Sequence, residues 1–249
     1  MEYQEFLERI KEIKEIGFVQ SHRSGPTGIG KTLEDLLGII ENNIAGPDFS
    51  TYELKAARKD SESMLTLFAK APQPKSANRK LLEAYGYIPN NSDVKSKQLT
   101  LNGKEAVIPM VSVKEKELHV TLDAIKSNSV GLKLGIAADK LFIENDKRIE
   151  AYWDNNTLKA TFERKHHRLI YVLAERKKEK GKELFWYNEA YLLDGFSFNR
   201  FSRLVEDGVL KVDIRIGHYS DGSPHDHGTA FRIMPKYLPQ CFSKIIKIL

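Results

Sequence analysis

Apolar residues recur along the chain with two different periods, and these periods predict its helices and strands. Helical spacing is found over residues 3–16, where Gly17 ends the pattern, and again from Leu33 to about Asn43. Shorter helices are predicted at 78–86, 157–166 and 198–205, and an amphipathic helix is predicted to close the chain after residue 234.

Short runs rich in β-branched and aromatic residues predict strands that alternate with turns. The runs are FSTYELKAA, SMLTLFAKAP, EAVIPMVSV, ELHVTLDA, VGLKLGIA, KLFIE, RIEAYW, RLIYVLAER, LFWYNEAYLL, VLKVDIRIG and TAFRIM. Those from EAVIPMVSV to RIEAYW form a meander in the middle of the chain. No repeat or long linker divides the sequence, so we expect an α/β fold with a mixed central β-sheet flanked by helices.

Composition narrows the class of protein. With 249 residues, 41% of them hydrophobic, the chain can bury a sizeable core. It has no apolar run of membrane-spanning length, and its charged N-terminus is unlike a signal peptide, so we expect a cytoplasmic protein. The single cysteine, Cys241, excludes internal disulfides and cysteine-based zinc sites. The net charge of +5 favours a polyanionic partner, although scattered surface lysines fit the same value.

A glycine-rich segment, GPTGIGKT at 25–32, fits the pattern G-x-x-x-x-G-K-[ST] of phosphate-binding loops. A nucleotide-binding switch is therefore one alternative function. The residues before it, GFVQSHRS, are too polar for the buried strand that such a loop requires. We expect instead that the glycines bend the chain into a helix whose first amides, with Lys31, hold a DNA backbone phosphate. This would place Glu34 on the first turn of that helix.

The segment PDFSTYELK carries the residue types of a metal-dependent nuclease. Glu53 and Lys55 stand two apart on a predicted strand and project to one face. Phosphodiester hydrolysis needs carboxylates to hold Mg²⁺ and a cation beside the attacking water. Asp48 and Glu53 are the expected metal ligands, Lys55 the cation, and Glu34 a further carboxylate. Taken alone, a Glu-x-Lys strand is more often a solvated face.

Several blocks together resemble the MutH-like restriction endonucleases of the MvaI and BcnI type. They are TGIGKTLEDLL, PDFSTYELKAA, MLTLFAKAP, VLKVDIRIG and HDHGTAFRI, within roughly 25–72 and 169–233. The resemblance implies the PD-(D/E)xK fold and a monomeric, Mg²⁺-dependent type II enzyme. Such an enzyme would cut duplex DNA, one strand after the other, at a short pseudo-palindromic CC-centre-GG site. It also implies a companion DNA methyltransferase in the cell.

On this interpretation residues 1–249 form a single nuclease unit with two lobes. Residues 1–72 are the expected catalytic part, 73–168 a connecting meander and 169–249 the DNA-recognition part. A MutH-like nicking endonuclease of mismatch repair is the alternative within the same chemistry. Ala69 departs from relatives that carry a polar residue there, which leaves the central base pair open, with A·T slightly favoured.

The C-terminal blocks supply candidate base-reading residues. Asp213 and Arg215 alternate on one face of a strand. Arginine can donate two hydrogen bonds to guanine O6 and N7, and aspartate can accept one from cytosine N4. The HDHGTAFR segment adds further hydrogen-bonding groups: His225, Asp226, His227 and Arg232. Two alternatives stay open here. Asp213 and Arg215 could be an ordinary surface pair, and the two histidines could bind a metal, although the sequence offers no evident third ligand.

Overall fold

The computed structural model describes residues 1–39, 51–88, 97–101, 104–108, 116–165, 168–218 and 223–249. Its helices are α1 (Tyr3–Ile16), α2 (Gly28–Leu37), α3 (Ala77–Tyr85), α4 (Asn155–Lys165), α5 (Phe198–Glu206) and a 3₁₀ helix (Pro235–Cys241). Its strands are β1 (Val19–Gln20), β2 (Tyr52–Arg58), β3 (Leu65–Ala69), β4 (Lys97–Leu101), β5 (Lys104–Ile108), β6 (Leu118–Leu122), β7 (Lys133–Ile136), β8 (Lys140–Glu144), β9 (Tyr152–Asp154), β10 (Arg168–Glu179), β11 (Lys182–Asp194), β12 (Leu210–His218), β13 (Pro224–Asp226), β14 (Ala230–Ile233) and β15 (Lys244–Lys247).

Two compact units make up the chain, and each is assembled from separated stretches. The first unit contains Met1–Phe68, Asn156–Leu210 and Ile233–Leu249, and the second contains Ala69–Asn155 and Lys211–Arg232. These bounds differ from the three consecutive parts expected from the sequence, because β10 and β11 pair with strands of the N-terminal stretch. The roles expected for the parts, catalysis and recognition, stay predictions.

The first unit is built on a mixed sheet in the order β1-β11-β10-β2, with β15 pairing β11. β10 and β11 form a long antiparallel hairpin, whereas β2 lies parallel to β10. Helices α1 and α2 cover one face of this sheet, because their apolar residues share a buried core with alternate residues of β2, β10 and β11. That core contains Phe6, Ile10, Ile13, Ile29, Leu33, Leu37, Tyr52, Leu54, Ile170, Val172, Ala174, Phe185, Tyr187 and Ala190. The mixed α/β architecture expected from the sequence is confirmed.

The second unit contains a sheet in which β12 lies between β13 and β14 and also pairs β6. β4 and β5 form a separate hairpin, and β7, β8 and β9 a small antiparallel sheet. Trp153 anchors the core of this unit: its ring meets Phe231 edge to face at 5.6 Å between centroids. Its indole Nε1 donates to the Lys70 carbonyl at 2.8 Å. Strands β5 to β9 overlap the strands predicted in the middle of the chain, but β6 pairs β12, so they do not form one continuous meander.

The closing helix predicted after residue 234 is wrong. Pro235 and Pro239 lack the backbone donors of a continuous α-helix, and the segment forms a short 3₁₀ helix instead. The chain then becomes β15, which pairs antiparallel with β11. Ile245 and Ile246 on this edge strand are partly exposed, with a lysine at each end of the strand.

Helix α2 is shifted relative to the prediction, both in its start and in its end. It begins at Gly28, so Glu34 lies on its second turn and not on its first. It ends at Leu37, because Gly38 adopts a left-handed conformation (φ 71°) and caps it. Residues 40–43, the expected last turn, lie outside the described residues, as does residue 166, the expected end of the helix predicted at 157–166.

Gly28 of the glycine-rich segment is required by close packing. A Cβ at this position would lie 2.2 Å from the Arg23 carbonyl oxygen and 2.5 Å from Ser21 Oγ. Such distances are far below van der Waals contact, so a larger residue would force the backbone apart. Backbone crowding thus accounts for this glycine.

The lysine and threonine of the same motif are also engaged within the fold. Thr32 is fully buried, and its hydroxyl donates to the Gly28 carbonyl at 2.7 Å and accepts from the His22 amide at 2.9 Å. Lys31 forms an ion pair with Asp35, one turn along α2, at 2.7 Å. The threonine hydroxyl that a phosphate-binding loop would direct at Mg²⁺ is here directed into the protein.

Arg58 at the end of β2 ties the glycine-rich segment to β11. Its guanidinium forms two hydrogen bonds of 2.8 Å with the Glu183 carboxylate and lies over the Phe185 ring. It also donates to the Pro26 carbonyl at 3.2 Å and the Gly25 carbonyl at 3.4 Å. The hydrogen bonds from Arg58 hold the pKa of Glu183 below its ordinary value.

Alanine substitutions at Gly28 and Gly30 should change stability in opposite directions. At Gly30 a Cβ meets only Glu34 Oε1, at 3.9 Å. Gly30→Ala should therefore raise the free energy of unfolding by about 0.5–1 kcal/mol, the helix-propensity gain. Gly28→Ala should lower it by about 1–3 kcal/mol through overpacking. Urea unfolding of both variants measures this, and equal effects would contradict the packing argument.

Glu183→Gln should lower the free energy of unfolding by about 1–3 kcal/mol at pH 7, because it leaves the partly buried Arg58 without its charged partner. The folded-state pKa of Glu183 is lowered, so its stabilisation is present above the unfolded-state pKa and is lost as the pH falls through the folded-state value. The difference between wild type and variant should therefore shrink in acid. Glu179→Gln, in the exposed hairpin, is the control and should change little.

Candidate functional site

Glu53 and Lys55 share one face of the first sheet because Leu54 between them is buried under the helices. Leu54 lies opposite Ile170 in the parallel pairing of β2 with β10, and both belong to the helix-covered core. The alternation of a strand then turns Glu53 and Lys55 to the other side. We call this side the Glu53 face; it carries Glu53, Lys55, Lys59, Tyr171 and Glu189.

The two catalytic candidates on this face are in direct contact. Glu53 is 9% exposed, and its Oε1 accepts a hydrogen bond from Lys55 Nζ. A carboxylate this buried needs a compensating charge, which Lys55 supplies. Carboxylate oxygens are also the ligands that Mg²⁺ prefers, so the chemistry of Glu53 fits the expected ion.

The expected partner ligand, Asp48, lies outside the described residues. Within the described ranges no three His, Cys, Asp or Glu side chains converge on one point that could hold a metal. Of the predicted catalytic residues, the structure thus places Glu53 and Lys55 in contact. The role of Asp48 as a metal ligand stays a prediction.

Glu34 is placed on the helical side of the sheet. It lies on α2, whose apolar face packs against the Leu54 side of β2. The Glu34 carboxylate is close enough to influence the phenol of Tyr187, a residue of the same core. Its contribution to a metal on the Glu53 face stays a prediction.

Sequence reasoning missed the other charged groups on the Glu53 face. Lys59 Nζ lies 2.9 Å from Glu189 and 3.7 Å from Glu175. Glu189 also accepts a hydrogen bond from the Tyr191 hydroxyl, and the two donors lower the pKa of Glu189, with Tyr191 the larger cause. The contacts of Lys59 with Glu175 and Glu189 join segments far apart in sequence, so no local pattern could have signalled them.

In the second unit Asp213 lies between two arginines. Its carboxylate is 9% exposed, lies 2.6 Å from Arg232 Nη1 across the β12–β14 pair and 3.6 Å from Arg215 Nε. Thr121 on β6 donates to its other oxygen at 3.2 Å. Because the flanking residues Ile214 and Ile216 are fully buried, this cluster lies on the opposite face of the sheet. We call it the Arg215 face; it carries Asp213, Arg215, His225, His227 and Arg232.

Arg215 is the more accessible of the two arginines. Its side chain is 40% exposed, against 21% for Arg232. One of its terminal nitrogens donates to the Gly228 carbonyl at 3.4 Å, whereas Nε has no hydrogen-bond partner within the described ranges. The partly exposed guanidinium is thus held in place beside Asp213.

The strand register separates the candidates of the HDHGTAFR segment. His225 lies opposite Gly217 and so joins the Arg215 face, and His227 packs over Gly217 with its ring 4.3 Å from that of His225. Asp226 lies opposite the buried Ile216 and projects to the other side.

Asp226 is used within the fold. Its carboxylate accepts from the Gly228 and Thr229 amides at 2.8 and 2.7 Å, and from the Thr229 hydroxyl and Asn78 Nδ2 at 3.0 and 2.8 Å. These bonds fix the turn that carries the two histidines and attach it to α3. Asp226 therefore supports the turn, and its side chain lies on the other side of the strand from the remaining candidate DNA-binding residues. Its contact with DNA stays a prediction.

Comparisons with known proteins identify the family to which the chain is similar. The sequence profile of the MvaI/BcnI restriction endonuclease family matches residues 7–242. The structure of the restriction endonuclease MvaI–cognate DNA substrate complex is similar, with 30% identity, complete coverage of both chains and a TM-score of 0.81. MvaI in the absence of DNA gives 29% identity, coverage of 100% and 99%, and a TM-score of 0.56.

No curated protein sequence matches the chain significantly. None of the helices in the described part of the chain is long and apolar enough to cross a membrane. The profile covers nearly the whole sequence, and the likeness to MvaI extends over its full length. The chain therefore belongs to the MvaI/BcnI restriction endonuclease family and is a type II site-specific DNA endonuclease.

Proposed function

We propose that this endonuclease hydrolyses duplex DNA with Mg²⁺ at a short pseudo-palindromic CC-centre-GG site, using the Glu53 face for catalysis and the Arg215 face for base reading. The observation that carries the proposal is the contact between Glu53 and Lys55, a buried carboxylate and an ammonium on one strand face. We further propose a cytoplasmic monomer that cuts the two strands in succession, in a cell protected by a companion methyltransferase.

The chemistry assigned to the Glu53 face follows from its charges. Mg²⁺, when bound, polarises the phosphate and acidifies a water. Glu53, with Asp48, supplies oxygen ligands for it. Lys55 places its ammonium beside the reacting phosphate and stabilises the negative charge that develops there. Glu34 is assigned a smaller part, through the water shell of the ion.

The base-reading assignment rests on preorganisation. Asp213 holds the guanidinium of Arg232 and lies beside that of Arg215, so both forks are oriented before DNA arrives. A fixed fork suits the paired acceptors O6 and N7 of guanine, and Asp213 can accept from cytosine N4. His225 and His227 add donors and acceptors beside them. We assign Lys31 a contact with a phosphate of the DNA backbone. This contact would replace its ion pair with Asp35.

Digestion of a sequenced plasmid tests the function as a whole. With Mg²⁺ and without ATP, the wild-type protein should linearise the plasmid at fixed positions, and end sequencing gives the site, its central base pair and the cut position. Ala69 leaves the central base pair open, with A·T slightly favoured, and this digest determines it. A plasmid that is nicked and never linearised would instead indicate the MutH-like alternative, and cutting at random positions would contradict sequence specificity.

Removing the catalytic groups should abolish cleavage and spare binding. Glu53→Gln keeps the shape of the side chain but weakens metal ligation, and Lys55→Ala removes the charge; each should slow cleavage by about 10²–10³-fold or more. Asp48→Ala should behave like Glu53→Gln. Cognate DNA binding with Ca²⁺ in place of Mg²⁺ should survive in all three.

Glu175→Gln is the matched control for the catalytic variants. Glu175 follows the Glu53 face further along β10, and its side chain is 47% exposed. This variant should cut at close to the wild-type rate. Near wild-type cutting by Glu53→Gln would remove the proposed metal site.

Arg215→Ala should weaken the preference for the cognate site by about 1–3 kcal/mol while affinity for random duplex is largely kept. Arg232→Ala should do the same, with some loss of stability because Asp213 loses the closer of its two charged partners. Lys31→Ala should differ: it should weaken binding to every duplex and reduce the log–log salt slope by about one. Competition titrations with Ca²⁺ at fixed salt compare them, and an unchanged specificity ratio in both arginine variants would make the cluster structural.

A further inference from the structure

Tyr171 is a buried tyrosine on the Glu53 face whose hydroxyl makes no hydrogen bond within the described part of the chain. The residue is 6% exposed, and its Oη atom is buried without a hydrogen-bond partner among the residues that the structure describes. Burial raises the pKa of Tyr171 to about 12, so the phenol is neutral. A buried hydroxyl without a partner costs folding free energy, and phenylalanine would fill the same space without that cost. Stability therefore gives no reason for the oxygen atom.

The strand register places Tyr171 beside Lys55, although the two side chains are not hydrogen-bonded to each other in this structure. Tyr171 on β10 lies directly opposite Lys55 on β2 in the parallel pair. The neighbouring pair, Ile170 and Leu54, faces the helices, so Tyr171 and Lys55 project together to the other side. Adjacent strands lie about 4.8 Å apart, and both side chains are long enough to meet across that gap.

Lys55 needs more than one acceptor to stay in position. Its ammonium carries three N–H donors, and Glu53 Oε1 takes one of them. In the proposed function, that same carboxylate must turn its oxygens to Mg²⁺. The ammonium then loses its main acceptor when it must stay fixed beside the phosphate.

We propose that Tyr171 is a positioning residue for Lys55: its phenol oxygen accepts a hydrogen bond from the ammonium and holds it on the Glu53 face while Glu53 serves the metal. The inference rests on the proposed function and adds a residue to that site. A neutral acceptor suits the task, because it orients the ammonium and leaves its full charge available to the developing charge on the phosphate. The Tyr191 phenol, opposite Tyr171 on β11, differs because it donates to Glu189.

Two phenylalanine variants make a matched test, since each removes a single hydroxyl from the same face of the sheet. Tyr171→Phe should slow single-turnover cleavage of a cognate duplex by about 10- to 100-fold, the effect of a misplaced catalytic group. Its KM, and its affinity for the duplex with Ca²⁺, should stay within about twofold, since Lys55 acts on the reaction and not on binding. Its melting temperature, measured in EDTA, should be unchanged or higher.

Tyr191→Phe should give the reverse result. It should cut at close to the wild-type rate, and it should melt about 2–4 °C lower in EDTA because Glu189 loses a donor. Lys55→Arg provides the third measurement. If Tyr171 acts through Lys55, adding Tyr171→Phe to Lys55→Arg should cost less than the same change costs in the wild type.

Each outcome bears on the inference. Wild-type cleavage by Tyr171→Phe would overturn it, and so would a loss of rate that only follows a loss of stability or binding. If the rate of the double variant falls by the product of the two single effects, Tyr171 does not act through Lys55, and the inference is overturned. A wild-type protein that leaves DNA intact would overturn the proposed function itself, whereas cutting by wild type and Tyr171→Phe alike would overturn this inference alone.

Discussion

The parallel pairing of β2 with β10 is the constraint on which the candidate active site depends. It aligns Leu54 with Ile170, and helices α1 and α2 bury that pair. Since strand side chains alternate, the same pairing sends Glu53, Lys55 and Tyr171 to the opposite face. A slip of one residue would bury Glu53 among the helices and expose Leu54, at a prohibitive cost in burial and desolvation. The hydrophobic packing on one side therefore fixes which groups can meet on the other.

The second unit follows the same logic with a different result. Ile214 and Ile216 bury one face of β12, and the alternate residues Asp213 and Arg215 are turned to the other. Here a carboxylate organises two guanidinium groups, whereas on β2 an ammonium neutralises a carboxylate. Charged residues that are poorly solvated are acceptable in both sheets because each has a partner of opposite charge.

Local patterns predicted the parts of the structure that depend on local physics. Alternation identified β2 and the shared face of Glu53 and Lys55, and the same reasoning placed Asp213 beside Arg215. Local patterns could not predict contacts between segments that are distant in the sequence. The opposite orientation of Asp226 follows from its pairing with Ile216, and the position of Tyr171 from its register against Lys55. The closing helix was wrong because its residues pair with β11, a partner fifty positions away, and because two prolines interrupt it.

Because the first unit is assembled from separated stretches, its strands can pair only late in the synthesis of the chain. β2 ends at Arg58, and its register partners on β10 extend from Arg168 to Ala174, so more than a hundred residues must emerge from the ribosome before the two strands can pair. β15, which pairs with β11, is synthesised later than both β2 and β10. Pairings of such long range form slowly, because chain entropy opposes them until their contacts are complete. Until that pairing forms, the nascent chain carries Glu53 and Lys55 without the strand that orients them.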